Sequence, residues 1–305
     1  MNNVRSNGHG RGIVAILISA LGFAFYPIFG KFVFAGGASL ATVLFIRFLI
    51  AAAVFWGLII VRKSTIHLAK RDFLRLWLLG GIIYAGQAGL YISAVKFIPA
   101  SMASLIFYVY PILVTILALA TKQERLSVIK VGGLLFSIIG LIFVLGLNFG
   151  GLNVLGILCA LGASAIYSVY ILTSNRVINS VSPLLSSAVI SSAACVTYGL
   201  TGVIQGFTWN ISVLTWLDIL GIAILSTIIA ILTFFGGLRR VGPTTASIVS
   251  TLEPVLTVGL AYILLGEYLN TTQGIGAACV LLGAILAAWP HNKKLNIGIR
   301  ETESL

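Results

Sequence analysis

Runs of about 20 residues with almost no charged side chains recur from one end of this chain to the other, and that is the length an α-helix needs to cross a bilayer core. The 305 residues are 59% hydrophobic and 9% charged, with a mean hydropathy of +1.10. A soluble globular chain carries roughly 25% charged residues. Too few charges exist here to coat a water-facing surface, and ten spans would use about 200 residues, leaving no room for a soluble catalytic domain.

The runs place spans at Gly12 to Phe34, Ser39 to Val61, Phe73 to Val95, Pro99 to Ala120, Ser127 to Leu147, Asn153 to Asn175, Pro183 to Gln205, Leu214 to Leu238, Pro243 to Leu264 and Thr272 to Trp289. The expected fold class is therefore an all-α polytopic membrane protein with ten transmembrane helices. Membrane β-strands are excluded because they alternate polar and apolar positions over 9–11 residues, whereas these runs are continuously apolar. Arg5 and Arg11 ahead of the first run imitate a signal peptide. That run is too long for a signal core of 7–15 residues, so it is read as a retained helix.

A formal charge of +12 would suggest nucleic acid in a soluble protein. Its distribution argues otherwise, because the cations sit in short pieces between apolar runs, as topology signals do. With the N-terminus inside, only Lys31 and Lys96 fall outside and Arg47 falls within a helix; every other Lys and Arg is cytoplasmic. The expected location is the bacterial cytoplasmic (inner) membrane with both termini cytoplasmic. The partners expected are the lipid bilayer and a small-molecule solute, with no nucleic acid and an oligomeric state left open.

The chain repeats itself. "PASMASLIFYVYPILVTILALATKQERL" from Pro99 lies on "PTTASIVSTLEPVLTVGLAYILLGEYL" from Pro243, with one extra residue between the prolines of the first copy. Beyond that slip Pro111 falls on Pro254, Tyr110 on Glu253, Glu124 on Glu267, Gly133 on Gly276 and Gly140 on Gly283. Each copy holds five helices, and an odd number makes the second enter the membrane from the opposite side. The expected units are a cytoplasmic N-terminus at 1–11, a first five-helix repeat at 12–147, a second at 152–289 and a cytoplasmic tail at 290–305. Inverted repeats can exchange conformations, the geometric basis of alternating access around a midplane site.

Proline inside a helix removes one hydrogen bond and obstructs the carbonyl four residues earlier. Helix kinks are expected at Pro27, Pro111 and Pro254, with Pro111 freeing the Phe107 carbonyl and Pro254 that of Ser250. Pro99, Pro183 and Pro243 are expected to open helices, where the missing donor costs nothing.

Few ionisable residues lie deep in the spans. Burying a charge at the bilayer centre costs roughly 2.5–3.5 kcal/mol, so one kept there faces a partner or water. Arg47 and Glu253 lie roughly 13 and 16 Å from their helix ends at 1.5 Å per residue, which is a similar depth. They either pair across the halves or meet the two ends of a zwitterionic solute. A carboxylate locked in an ion pair exchanges protons poorly, so Glu253 is a proton-coupling candidate only if Arg47 is engaged elsewhere. Tyr84, Gln87 and Tyr91 on helix three, Tyr167 and Tyr170 on helix six, Tyr108 and Tyr110 on helix four, and Tyr26 are candidates to line the same cavity. Tyrosine offers a flat apolar face and one hydroxyl to a solute of mixed character. Ser186, Ser187, Ser191 and Ser192, with Ala85 and Gly89, are read as small residues permitting close helix contact.

No phosphate-binding G-x-x-x-x-G-K-[ST] loop is present. His9, His67 and His291 lie outside the spans, and Cys159, Cys195 and Cys279 are isolated, so no metal site, cofactor or catalytic constellation is expected. The protein is not expected to be an enzyme.

With its five-plus-five arrangement and the segments "YPILVTILALATKQERL" and "EPVLTVGLAYILLGEYL", the chain resembles the EamA-domain, ten-helix members of the drug/metabolite transporter superfamily. The resemblance implies a secondary transporter or exporter of amino acids and other small metabolites with a cavity between the halves. Glu124 and Glu267 match the family's turn and are read as helix-end residues rather than solute ligands; "KQE" in place of "LGE" departs from the pattern. The alternative reading is a non-transporting scaffold or sensor in which Arg47 and Glu253 form a structural clasp.

Overall fold

The computed structural model describes residues 2–63, 68–121, 128–145, 153–178 and 181–288. Among these residues the structure is entirely helices and short connections. The elements are α1 (Asn2–Ala35), α2 (Leu40–Val61), α3 (Lys70–Leu78), a π-helical segment (Leu79–Tyr84) running into α4 (Ala85–Phe97), α5 (Ala100–Phe107), α6 (Tyr110–Ala120), α7 (Val128–Leu145), α8 (Val154–Ile178), α9 (Pro183–Gln205) and α10 (Val213–Ala223). A second π-helical segment (Ile224–Ile229), α11 (Ala230–Ser250), α12 (Leu252–Leu265) and α13 (Thr271–Ala288) complete the order.

Among the described residues six helices are long and apolar enough to cross a membrane, from Gly10–Ala35 to Val213–Leu238, and four shorter apolar stretches lie at Ala100–Val114, Leu135–Val144, Leu252–Leu265 and Thr271–Gly283. Local chemistry sets many of the ends. Ser39, Ser182 and Ser212 accept from the N–H of Thr42, Leu185 and Thr215 and so cap α2, α9 and α10. Gly266, at φ +65°, takes the left-handed conformation that ends α12. Aliphatic side chains such as Ile60, Val203, Ile204 and Ile263 stand exposed, the outward face of an integral membrane protein.

Several expected boundaries are corrected. The first span agrees within two residues at Gly10–Ala35, although helix α1 itself begins at Asn2 and passes Pro27 without a break. The fourth expected span is not one helix bent at Pro111. It is divided at Tyr108 and Val109, and Pro111 is the second residue of α6. Pro254 likewise stands in the first turn of α12, just after an interruption at Thr251. In both places proline opens the segment after the break, where its missing N–H is least costly. Pro243 does not open a helix. The helical run continues from α10 through α11 to Ser250, so the expected turn at 239–242 is helical. His67, Glu124, Trp289 and the tail from 290 lie outside the described residues.

Two kinds of irregularity each occur twice among the described residues. One π-helical segment starts at Leu79 and the other at Ile224; one interruption lies at Tyr108 and the other at Thr251. Helix α2 packs on α9, α7 on α13, α1 on α11, and α4 on α8. Glycine makes the α7 and α13 contact possible. A Cβ on Gly276 would stand 2.7 Å from the Gly140 carbonyl oxygen, and one on Gly283 would stand 2.6 Å from that of Gly133. Small residues let backbones approach this closely in a bilayer, where packing rather than water exclusion joins helices. Gly80 plays the same part at the first π-helical segment, where a Cβ would meet the Ile190 carbonyl of α9 at 2.5 Å.

Candidate functional site between the helix interruptions

The two π-helical segments position the site. A π-turn widens the helix by one residue and leaves backbone groups off the regular ladder, and such segments concentrate at functional positions. In the first, the Gly81 carbonyl accepts from the Thr197 hydroxyl of α9 at 2.7 Å, and Tyr84 closes the segment. In the second, Thr227 donates to the Ile222 carbonyl, five residues back, at 2.9 Å. The same hydroxyl oxygen accepts from Arg47 Nε at 2.9 Å.

Arg47 is only 3% exposed, and its position in α2 is fixed on three sides. Its guanidinium carbon sits 4.2 Å from the centroid of the Tyr26 ring and 5.0 Å from that of Phe48. A flat, weakly hydrated cation stacks well on aromatic faces, and this packing offsets part of its burial cost. Nη1 is buried without a hydrogen-bond partner.

From Arg47 the aromatic contacts run in a closed circuit. Phe48 meets Tyr84 at 5.7 Å between centroids, Tyr84 meets Tyr170 at 5.4 Å, and Tyr170 stacks on Tyr167 at 5.8 Å. Tyr167 meets Phe107 at 5.3 Å, Phe107 meets Tyr91 at 4.6 Å, and Tyr91 returns to Tyr26 at 5.5 Å. Tyr110 joins from the side, 4.9 Å from Tyr167 and 5.5 Å from Phe107. Seven helical elements contribute: α1, α2, the first π-helical segment, α4, α5, α6 and α8. Tyr84, Tyr110, Tyr167 and Tyr170 are half-buried, whereas Tyr26, Tyr91 and Gln87 are buried. Gln87 and Tyr91, three and seven residues after Tyr84, share its helix face.

Glu253 is the acidic candidate. It is half-buried in the first turn of α12, at the positive end of that helix. Its carboxylate is within electrostatic reach of Tyr91, Tyr108, Tyr110 and Tyr167. Tyr110 and Glu253 are the two residues that the repeat aligns with each other. No ion pair joins Arg47 and Glu253 among the described residues, where the ion pair found is Arg75 with Asp72.

The structure therefore brings together Arg47, Tyr84, Gln87, Tyr91, Tyr110, Tyr167, Tyr170 and Glu253, with Tyr26. Tyr108 joins them from a buried position, its ring 5.4 Å from that of Tyr110, while its hydroxyl donates to the Ser250 carbonyl, the acceptor expected to be freed by Pro254. Sequence reasoning missed Phe48, Phe107, Tyr198 and Thr227. Tyr198 stacks on Phe48 at 6.0 Å and donates to the Ala85 carbonyl at 2.6 Å, behind the circuit. The adjacency of Phe48 to Arg47 and of Phe107 to Tyr108 was the available signal; nothing in the local sequence announces a π-turn at Thr227.

Glu267 is a helix-end residue. Its carboxylate accepts from Ala100 N at 2.8 Å, Ser101 N at 2.9 Å and Ser101 Oγ at 2.6 Å, capping α5 from the far end of α12. Its register equivalent Glu124 lies outside the described residues.

A model of the EamA-like transporter family matches residues 10–146 and again 154–289. The chain belongs to that family. A Bacillus subtilis (strain 168) protein named uncharacterized transporter YcbK is 26% identical over 311 residues, covering 95% of this chain and 96% of that protein. An uncharacterized transporter of Clostridium kluyveri is 24% identical over 94% of this chain and 95% of its own. The aromatic amino acid exporter YddG of Ancylobacter novellus is 26% identical over 68% of this chain and 73% of its own. One solved crystal structure aligns with a TM-score of 0.63 at 23% identity, covering 92% of this chain and 96% of that one, and shares its fold. EamA membership and the apolar helices make the protein an integral membrane protein of a transporter family.

Proposed function

We propose that the protein is a secondary active exporter of small organic metabolites, amino acids or related zwitterions, working by alternating access. The observation that carries this reading is the closed aromatic circuit, with the unpartnered Nη1 of Arg47 on one side and the Glu253 carboxylate on another. A carboxylate suits Arg47, an ammonium group suits Glu253, and flat apolar groups suit the tyrosine faces between them. Supporting the amino acid class is the relative named as an aromatic amino acid exporter.

In this reading two inverted five-helix repeats, 12–147 and 152–289, form ten spans. The occurrence of one π-segment and one interruption in each half, the interruptions at register positions, supports that arrangement. Helices broken at membrane depth are a recurrent way to build solute sites in transporters of inverted repeats. Both termini lie on the cytoplasmic side of the inner membrane in this reading, which the distribution of Lys and Arg supports. Glu253, with Arg47 engaged by Thr227, is free to exchange protons and is the coupling group.

Counterflow in proteoliposomes tests the reading. Vesicles loaded with unlabelled L-phenylalanine, L-tyrosine or a mixture of the common amino acids should accumulate the labelled compound only when the protein is present. Absence of counterflow for every amino acid, from protein that is folded and correctly inserted, overturns it.

A further inference from the structure

We infer that Thr227 is a positioning residue that aims Arg47 at the carboxylate of the solute, so that the second π-helical segment sets the requirement for an acidic group. The inference rests on the proposed solute site and adds a residue that does not itself belong to the aromatic circuit.

A guanidinium has five N–H donors in a fixed fork. Holding one edge determines where the others point. Here Nε is held by the Thr227 hydroxyl at 2.9 Å, while the plane is fixed by Tyr26 at 4.2 Å and Phe48 at 5.0 Å. What stays unpaired is Nη1, in a side chain 3% exposed. A buried charged donor with no partner is costly unless a ligand completes it, and a carboxylate completes it with a charge-assisted bond.

The Thr227 hydroxyl is itself oriented. It has one proton, which goes to the Ile222 carbonyl at 2.9 Å, so the oxygen can only accept from Arg47. That donation reaches five residues back, a distance that fits the widened turn of a π-segment and not the four-residue step of an α-helix. The second π-segment thus converts one threonine into a pure acceptor facing α2. Ser226 beside it is fully buried but bonds to neither group, so the function is specific to position 227.

The test uses the purified full-length chain with L-phenylalanine and L-phenylalaninamide, which differ only at the carboxylate, and reads each dissociation constant from ligand-dependent thermal stabilisation. The unaltered protein should prefer the acid. Thr227→Val, which keeps the shape and removes the hydroxyl, should weaken L-phenylalanine about tenfold and leave the amide unchanged, the size expected for a lost bond to a charged group. Thr227→Ser should restore the preference. Equal weakening of both compounds, an undiminished preference in Thr227→Val, or no preference in the unaltered protein overturns the inference. Loss of counterflow with the preference intact would overturn the transport reading while supporting the positioning role.

Discussion

The Tyr108 hydroxyl donates to the main-chain carbonyl of Ser250, fastening the interruption between α5 and α6 to the interruption between α11 and α12. The two breaks are register equivalents in the repeated sequence, and each leaves backbone groups without their helical partners. Joining them lets one half satisfy what the other has left open. Tyr108→Phe removes the donor and strands a carbonyl in a buried place. Thermal unfolding of the purified protein should show a loss of about 1–3 kcal/mol.

Glu253 stands in the first turn of α12 with no ion-pair partner among the described residues. Glu253→Gln keeps the size and hydrogen-bonding capacity of the side chain but cannot release a proton. Stimulation of export by an inward proton gradient should vanish in this variant while expression persists, and gradient-free counterflow should weaken as well because the contact to the ammonium group loses its charge. Unchanged stimulation by the gradient removes Glu253 from the coupling role.

Arg47 contributes through its flat shape as well as its charge. Arg47→Ala should lower counterflow of L-phenylalanine at least tenfold, the cost of about 1.4 kcal/mol or more. Arg47→Lys should not rescue it, because a compact ammonium neither stacks on Tyr26 and Phe48 in the same way nor presents a fork to Thr227 and solute together. Full activity of the lysine variant would show that only charge is read.

Glu267 closes three donors at the start of α5 from the end of α12. Glu267→Ala leaves the N–H groups of Ala100 and Ser101 without acceptors and should lower stability by about 1–2 kcal/mol, as loss of a helix cap does. Its effect on the preference for L-phenylalanine over the amide should be nil, since it lies away from the aromatic circuit. A changed preference would place it in the solute site.

Pro183 to Gln205 was legible to the residue because an N-cap serine, a proline at the first position and an apolar run agree at one place. Ser250 as a freed acceptor was legible too, from the position of Pro254 alone. The division of the fourth span was not, since Phe107, Tyr108 and Val109 are as apolar as their neighbours and only contacts with α12 and α8 reward an interruption there. Pro243 misled for the opposite reason: a Gly-Pro pair reads as a boundary, yet the helical run of α11 passes through it.

Composition and periodicity alone determined that this chain is a membrane-embedded helical protein, because a backbone in lipid must satisfy its own hydrogen bonds and helices do so within one segment. The expectation that Arg47 and Glu253 lie at similar depth came from counting residues along single helices. Their partners did not. Whether the arginine pairs with the glutamate or with Thr227, Tyr26 and Phe48 depends on how α2 is rotated against α1 and the second π-helical segment. That rotation is set by close packing among helices distant in sequence, so the tertiary structure alone decided it.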